Sequence, residues 1–336
     1  MKNQQNFDEQ TYRKNKEEAL KELLSTLECK INWIGDSSFV RRKITLQINQ
    51  KNDLGSFAEK SHNIIEIPTK EPLEEDIKKL ITLFKNFLKS QEENFYNQII
   101  ITVFDNICDV VFCAKRKLNI AQEQQLMNLA KTNKFNISSL VNKDLELILQ
   151  LQQNQIFYPN FKINLSGNIF IQATKKGLEA IIKIIRENLG GAQKVADLYA
   201  GFGAYSFAIS DLTKSILAIE GDEKMVNLIT KNAKENQLSQ KILAKKLDLF
   251  SSPILAKELK DFDLAIINPP RNGAGTQAAE IAKSNLKKVI YISCNPQSFL
   301  RDAKILIEFG FKIKNIHAID QFYKTTHTEL VAILEK

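Results

Sequence analysis

Val195-Ala196-Asp197-Leu198-Tyr199-Ala200-Gly201-Phe202-Gly203 is the stretch that decides the fold. A short apolar run ends at an acidic residue, and two glycines one residue apart follow it. The run reads as a buried strand, and the glycines allow a tight turn and a close approach of backbone to ligand. Working outward, the same pattern recurs in I-L-A-I-E (216–220), D-L-A-I-I-N (263–268) and V-I-Y-I-S (289–293), each ending in polar or turn residues. Helical stretches over 223–236 and 277–285 separate the runs. Strands alternating with helices predict an α/β architecture with a doubly wound, mostly parallel sheet. In such sheets ligands sit beyond the carboxyl ends of the strands, which is where the polar residues fall.

The preceding half has another texture. Leu20, Leu23, Leu24 and Leu27 recur at helical spacing, so residues 12–27 predict an amphipathic helix with one face packed on something larger. R-R-K-I-T-L-Q-I (41–48) and S-H-N-I-I-E-I (61–67) suggest antiparallel strands, stopped by Pro68 and Pro72. A helix is predicted over 74–88 and further strands over 98–114. The expected division is a packing helix (1–28), a central α+β domain (29–158) and the parallel-sheet domain (159–336).

Composition narrows the class. Of 336 residues 43% are hydrophobic and 26% charged, as in an ordinary globular protein. No run approaches the roughly 18 apolar residues that a membrane helix needs, and residues 1–10 carry no apolar signal core. A cytoplasmic protein with no membrane partner is expected. Cys29, Cys108, Cys113 and Cys294 are scattered and are expected to be free thiols. The formal charge of +8 favours a polyanionic partner, nucleic acid before others.

The candidate site is assembled from strand ends. The spacing at Gly201 and Gly203 is not the dinucleotide fingerprint. The next strand ends in Glu220, about 20 positions past the glycine turn, where an acid can accept hydrogen bonds from ribose hydroxyls. Glycine loop and acid together predict a nucleoside cofactor. In Asn268-Pro269-Pro270-Arg271 the prolines stiffen the loop, and Arg271 offers forked donors to a phosphate or base. Cys294 precedes a helix predicted to start near Pro296, a position expected to favour the thiolate. Glu329, in His327-Thr328-Glu329, precedes the terminal apolar strand and can face the same cleft. One activated thiol and one carboxylate suit methylation of uracil carbon 5. A thiolate on carbon 6 makes carbon 5 nucleophilic, and a base must afterwards remove the carbon-5 proton. No metal is needed, and the base must leave its stack to be reached.

D-L-Y-A-G-F-G, N-P-P-R, Y-I-S-C-N-P-Q-S-F-L-R-D and H-T-E-L-V together resemble the RNA uracil-5 methyltransferase family, the 23S rRNA and tRNA 5-methyluridine enzymes. The segments at 39–48 and 61–67 resemble that family's central domain, and the helix over 12–27 its connecting helix. The resemblance implies a seven-stranded Rossmann-like methyltransferase sheet with a smaller RNA-contact domain, and S-adenosyl-L-methionine as cofactor. It implies Cys294 as nucleophile and Glu329 as base. Cofactor contacts are implied for Gln172, Tyr199, Glu220, Asp248 and the position of Asn268, alongside Gly201 and Gly203 of the loop. RNA is the expected partner, rRNA ahead of tRNA, bound by a monomer.

Three departures stand out. Asn268 occupies a position where the family usually carries Asp, and Ala204 one that is commonly Asn. The chain begins too late for the N-terminal RNA-binding barrel of some members and has no cysteine between Cys29 and Cys108, so neither that barrel nor the iron–sulfur cluster of others is expected. Cys108 and Cys113 are expected in the core. Two other readings compete: a same-fold enzyme methylating an exocyclic amine or a glutamine side chain, and an RNA-binding protein with little or no methyltransferase activity. The first would have an aromatic residue at Arg271 and no use for Cys294. The second finds support only in Asn268 and Ala204.

Overall fold

The computed structural model describes residues 9–27, 29–57, 63–67, 71–323 and 325–336. Most of the polar N-terminal stretch, Ser61, His62 and Pro68 lie outside the described residues. The chain forms two compact units, residues 1–39 with 176–336, and residues 40–175.

The first unit is built on an eight-stranded sheet. Its spatial order is Ile31–Ile34, Lys312–Ile319, Glu329–Glu335, Lys288–Ser293, Leu264–Ile267, Lys194–Leu198, Ser215–Glu220 and Ile242–Lys246. Every ladder is parallel except the two made by Glu329–Glu335, which runs antiparallel to both neighbours. The central strands are buried on both faces: Leu264, Ala265, Ile266 and Ile267 are all fully buried, as are Val289, Ile290, Tyr291 and Ile292. That is why their sequences read as continuous apolar runs rather than alternating ones. Helices Gly275–Lys283 and Pro296–Glu308 share one apolar cluster with alternate strand residues, among them Ala265, Ile267, Val289, Tyr291, Leu330 and Ala332.

Seven strands are expected and eight are found. The additional edge strand, Ile31–Ile34, pairs in parallel with Lys312–Ile319. All four of its residues are half-buried, so its sequence lacks the alternation that marks a strand. This strand, with helix Glu9–Leu23 and its 3₁₀ extension Ser25–Leu27, joins the N-terminus to the first unit. Leu20, Leu24 and Leu27 enter the main cluster, each worth roughly 1.5–3 kcal/mol of burial. Lys16 Nζ pairs with Asp320 Oδ1 at 2.7 Å, with both side chains buried, and Tyr12 donates its hydroxyl to Asp320 Oδ2 at 3.1 Å. Lys16→Met is expected to destabilise the protein by about 3–5 kcal/mol, because it strands a buried carboxylate. Lys16→Met with Asp320→Leu should recover most of that loss in chemical denaturation.

The second unit is a seven-stranded sheet ordered Ile64–Ile65, Leu54–Phe57, Lys43–Ile48, Tyr96–Val103, Cys108–Ala114, Asn136–Val141 and Asp144–Leu149. Helices Glu75–Leu88 and Ile120–Asn133 cover one face through Ile77, Leu80, Phe84, Leu88, Leu126 and Ala130. Asn119 caps the latter helix with a reciprocal capping box. Cys113 is buried and Cys108 half-buried. The unit boundaries fall at 39/40 and 175/176 rather than at 28/29 and 158/159. The shift has two causes. Ile31–Ile34 pairs with the first sheet, and the hairpin Asn154–Phe157/Lys162–Leu165 is tied to the second by Asn154 Nδ2 donating to Asp109 Oδ1 at 3.1 Å.

Candidate active site

Parallel pairing brings the predicted strand ends into one row. Leu198 pairs with Ile267 on one side and Ile219 on the other, and Ile267 with Tyr291. Tyr199, Glu220, Asn268 and Cys294 therefore leave the sheet at its carboxyl edge. The Asn268 N–H donates to Leu198 O at 3.1 Å, and Leu247 N–H to Glu220 O at 3.0 Å, which continues the row to Asp248.

The glycine loop is held from both strands. Ala200 N–H donates to Ile219 O at 3.0 Å. Glu220 accepts from Gly201 N–H on Oε2 at 2.9 Å, and from Gly221 and Asp222 N–H on Oε1 at 2.7 and 3.0 Å. The acid thus shapes the loop. Tyr199 takes a left-handed backbone, φ 61°, a conformation that costs a non-glycine residue energy. Gly203, φ 84°, cannot be replaced cheaply: a Cβ there would meet Ile229 and Phe207 at 3.1 Å. Gly201, φ 57°, faces open space, with nothing within 4 Å of such a Cβ. Asp248 is exposed. Its carboxylate accepts from Phe250 N–H and the Ser251 hydroxyl, which hold it below its ordinary pKa.

Two features fit a nucleoside cofactor here. Gly201 leaves a cradle that any side chain would fill, and the Tyr199 hydroxyl is buried without a partner. Asp197, fully buried beneath the loop, accepts from Ser206 N–H and Oγ at 3.1 and 2.6 Å, and burial pushes it up to about 6. Gln172 is the remaining implied contact. It belongs to the second unit, where it is buried and its carbonyl accepts from Arg42 Nε at 3.1 Å. Among the described residues no group of three His, Cys, Asp or Glu could hold a metal.

Antiparallel pairing does the rest. Ser293 pairs with Leu330 at the end of the ladder, which brings Cys294, the next residue, near Glu329, whose charge acts on its thiol. Arg271, in the adjoining loop, is near enough for its charge to act on the Cys294 thiol. The expected thiolate bias from the helix is corrected. The helix begins at Pro296 with Asn295 as its cap, leaving Cys294 outside the first turn, where the dipole is weak. Burial and then the Glu329 charge push the thiol above its ordinary value, and Arg271 pulls the other way. Glu329 is buried, pushed up to about 7 by desolvation, with a hydrogen bond from Gln321 opposing that shift.

Sequence reading missed the scaffold of this pair. Asn295 Nδ2 donates to Arg271 O at 2.9 Å, tying the cysteine loop to the arginine loop. Asp302, fully buried, accepts from Ala274 N–H and from the Tyr291 hydroxyl, while Arg301 donates to Asn272 O at 2.7 Å. Asn295, Arg301 and Asp302 lie in the quoted S-C-N-P…R-D stretch, so that motif was their only signal. Gln321 had none.

Residues 8–336 match the sequence model of a family described as tRNA (Uracil-5-)-methyltransferase. An uncharacterized RNA methyltransferase of Rhizobium meliloti is 37% identical over 191 residues, 57% of this chain and 46% of the relative. One from Mesorhizobium japonicum is 29% identical over 99% of this chain and 81% of its own length. The chain thus spans about half the length of the first of these. The Pyrococcus abyssi tRNA (uracil-54, C5)-methyltransferase, solved with S-adenosyl-L-homocysteine, matches with a TM-score of 0.77 at 22% identity. The match covers 98% of this chain and 84% of that one, a likeness of fold.

Proposed function

From the premise that the chain belongs to the tRNA (uracil-5-)-methyltransferase family, we propose that it methylates carbon 5 of a uridine in RNA through a covalent bond to Cys294. The observation that carries this is Cys294 beside Glu329 at the carboxyl edge of the sheet, with the Arg271 charge acting on its thiol. S-adenosyl-L-methionine would supply a methyl group on positively charged sulfur, held by Tyr199, Gly201, Gly203, Glu220, Asp248 and Asn268. Arg271 stabilises the Cys294 thiolate, and the thiolate adds to carbon 6 of the uracil. The carbon 5–carbon 6 π electrons move into an enolate, which makes carbon 5 able to accept the methyl group. Glu329, as carboxylate, then takes the carbon-5 proton. The double bond re-forms and the sulfur–carbon bond breaks, returning the thiolate. A buried carboxyl near pKa 7 suits this role, since a base is most effective when its pKa lies near the working pH.

The resemblance of the central segments favours rRNA as substrate. The family's description favours tRNA, which makes it the second reading. The experiment is incubation with S-adenosyl-L-methionine and rRNA or tRNA in separate reactions, followed by nucleoside mass spectrometry. 5-Methyluridine in one fraction identifies both reaction and substrate. A different methylated nucleoside, or none from either RNA, overturns the proposal.

A further inference from the structure

Glu329 and Gln321 are both buried, at 3% and 0% exposure, and Gln321 Nε2 donates to Glu329 Oε2 at 2.8 Å. The register explains how residues eight apart meet. Ile319 pairs with Glu329, so the chain leaves one strand and re-enters the next on the same rung, and Gln321 folds back over the carboxylate. Its backbone is held in place by its neighbour: Asp320 donates its N–H to Ile34 O at 2.8 Å, and its carboxylate is gripped by Lys16 and Tyr12.

Among the described residues the charged and titratable groups around this pair are few. Cys294 lies near Glu329 at the neighbouring strand's end, and the Arg271 charge acts on its thiol. Asp320 is matched by Lys16, and His327 packs edge-on against Phe322. Among the described residues Glu329 forms no ion pair. Its polar partner is the Gln321 amide.

We propose that Gln321 is a positioning residue for proton abstraction: its N–H stabilises the Glu329 carboxylate as an anion and commits Oε2, leaving Oε1 as the oxygen that takes the carbon-5 proton. This rests on the reading of Glu329 as base. A carboxyl in so dry a place loses its ionised form unless a donor supports it, and a protonated carboxyl accepts no proton. Proton, carbon–hydrogen electrons and the released Cys294 thiolate balance as in the step above, and the amide itself carries no proton.

The test uses Gln321→Met, of similar length and without a donor, and Gln321→Asn, whose donor is one methylene short. Infrared titration of the protein alone, with the Glu329 band assigned by subtracting Glu329→Gln, reads the buried carboxyl directly. The native midpoint should lie near about 7, and both variants should move it up by about one pH unit or more. In single turnover at about pH 6, decay of the Cys294–RNA adduct should slow about tenfold. That deficit should close as pH rises, with adduct formation changed less than about twofold. An unmoved midpoint, or a deficit independent of pH, overturns the inference. If Glu329→Gln itself traps no adduct, the base reading has failed. If it traps adduct while the Gln321 variants titrate like the native protein, only the role of Gln321 has failed. Should Gln321→Met lose its native circular dichroism, the same two readouts on Gln321→Asn decide.

Discussion

Cys294→Ala is expected to lower methylation by roughly four orders of magnitude or more, the usual cost of deleting a nucleophile, and to abolish covalent capture of RNA. The loss should come from chemistry rather than folding. Cys294 is half-buried at a loop, and the neighbouring helix is capped by Asn295 without it. Cofactor binding, measured by calorimetry, should be unchanged, since the glycine loop is held by Glu220 and Ile219 instead. RNA carrying 5-fluorouridine gives the sharpest readout. Fluorine at carbon 5 cannot leave as a proton, so the native protein should remain bonded to the RNA through denaturing electrophoresis and the variant should not. Because burial and the Glu329 charge raise the thiol's pKa, native capture should quicken as pH rises through the neutral range. A variant that methylates at an undiminished rate would remove Cys294 from the mechanism.

Glu329→Gln has a different expected signature. Attack and methylation proceed, but release stalls, so a methylated covalent adduct accumulates on natural uridine while turnover falls about 10²–10⁴-fold. The amide can still accept the Gln321 hydrogen bond but cannot take a proton. Mass spectrometry of the intact complex checks this, and undiminished turnover with no adduct would count against the assignment. The same substitution carries a stability effect of fixed sign. The Glu329 carboxyl is raised from about 4.5 to about 7, so its contribution to stability is present below about 4.5 and is lost as pH rises through about 7. Relative to native, Glu329→Gln should therefore gain stability across that window, by up to about 3 kcal/mol. Denaturation at the two ends of the window measures it. A difference that does not change with pH would mean that the carboxyl is not titrating in the folded protein.

The sequence by itself determined the parallel sheet and where chemistry should sit. Runs such as D-L-A-I-I-N are apolar throughout because both faces are covered, and Leu264, Ala265, Ile266 and Ile267 are indeed fully buried. Gly203 needs a left-handed backbone with no room for a Cβ, a demand that few residues other than glycine meet. Local rules of this kind are written in neighbouring residues and can be read from them. Tertiary structure decided what depends on residues distant in the chain. Half-buried Ile31–Ile34 shows no periodicity, yet it becomes a strand because Lys312–Ile319 presents an open edge. Cys294 lies outside the turn that was expected to activate it. Its ionisation is set by burial, Glu329 and Arg271, and those enter through strand register and a neighbouring loop. Gln321 looks like any loop residue until the rung joining Ile319 to Glu329 folds it over the carboxylate. Solvation and pairing of a charge depend on what surrounds it in space, and only the packed fold supplies those surroundings.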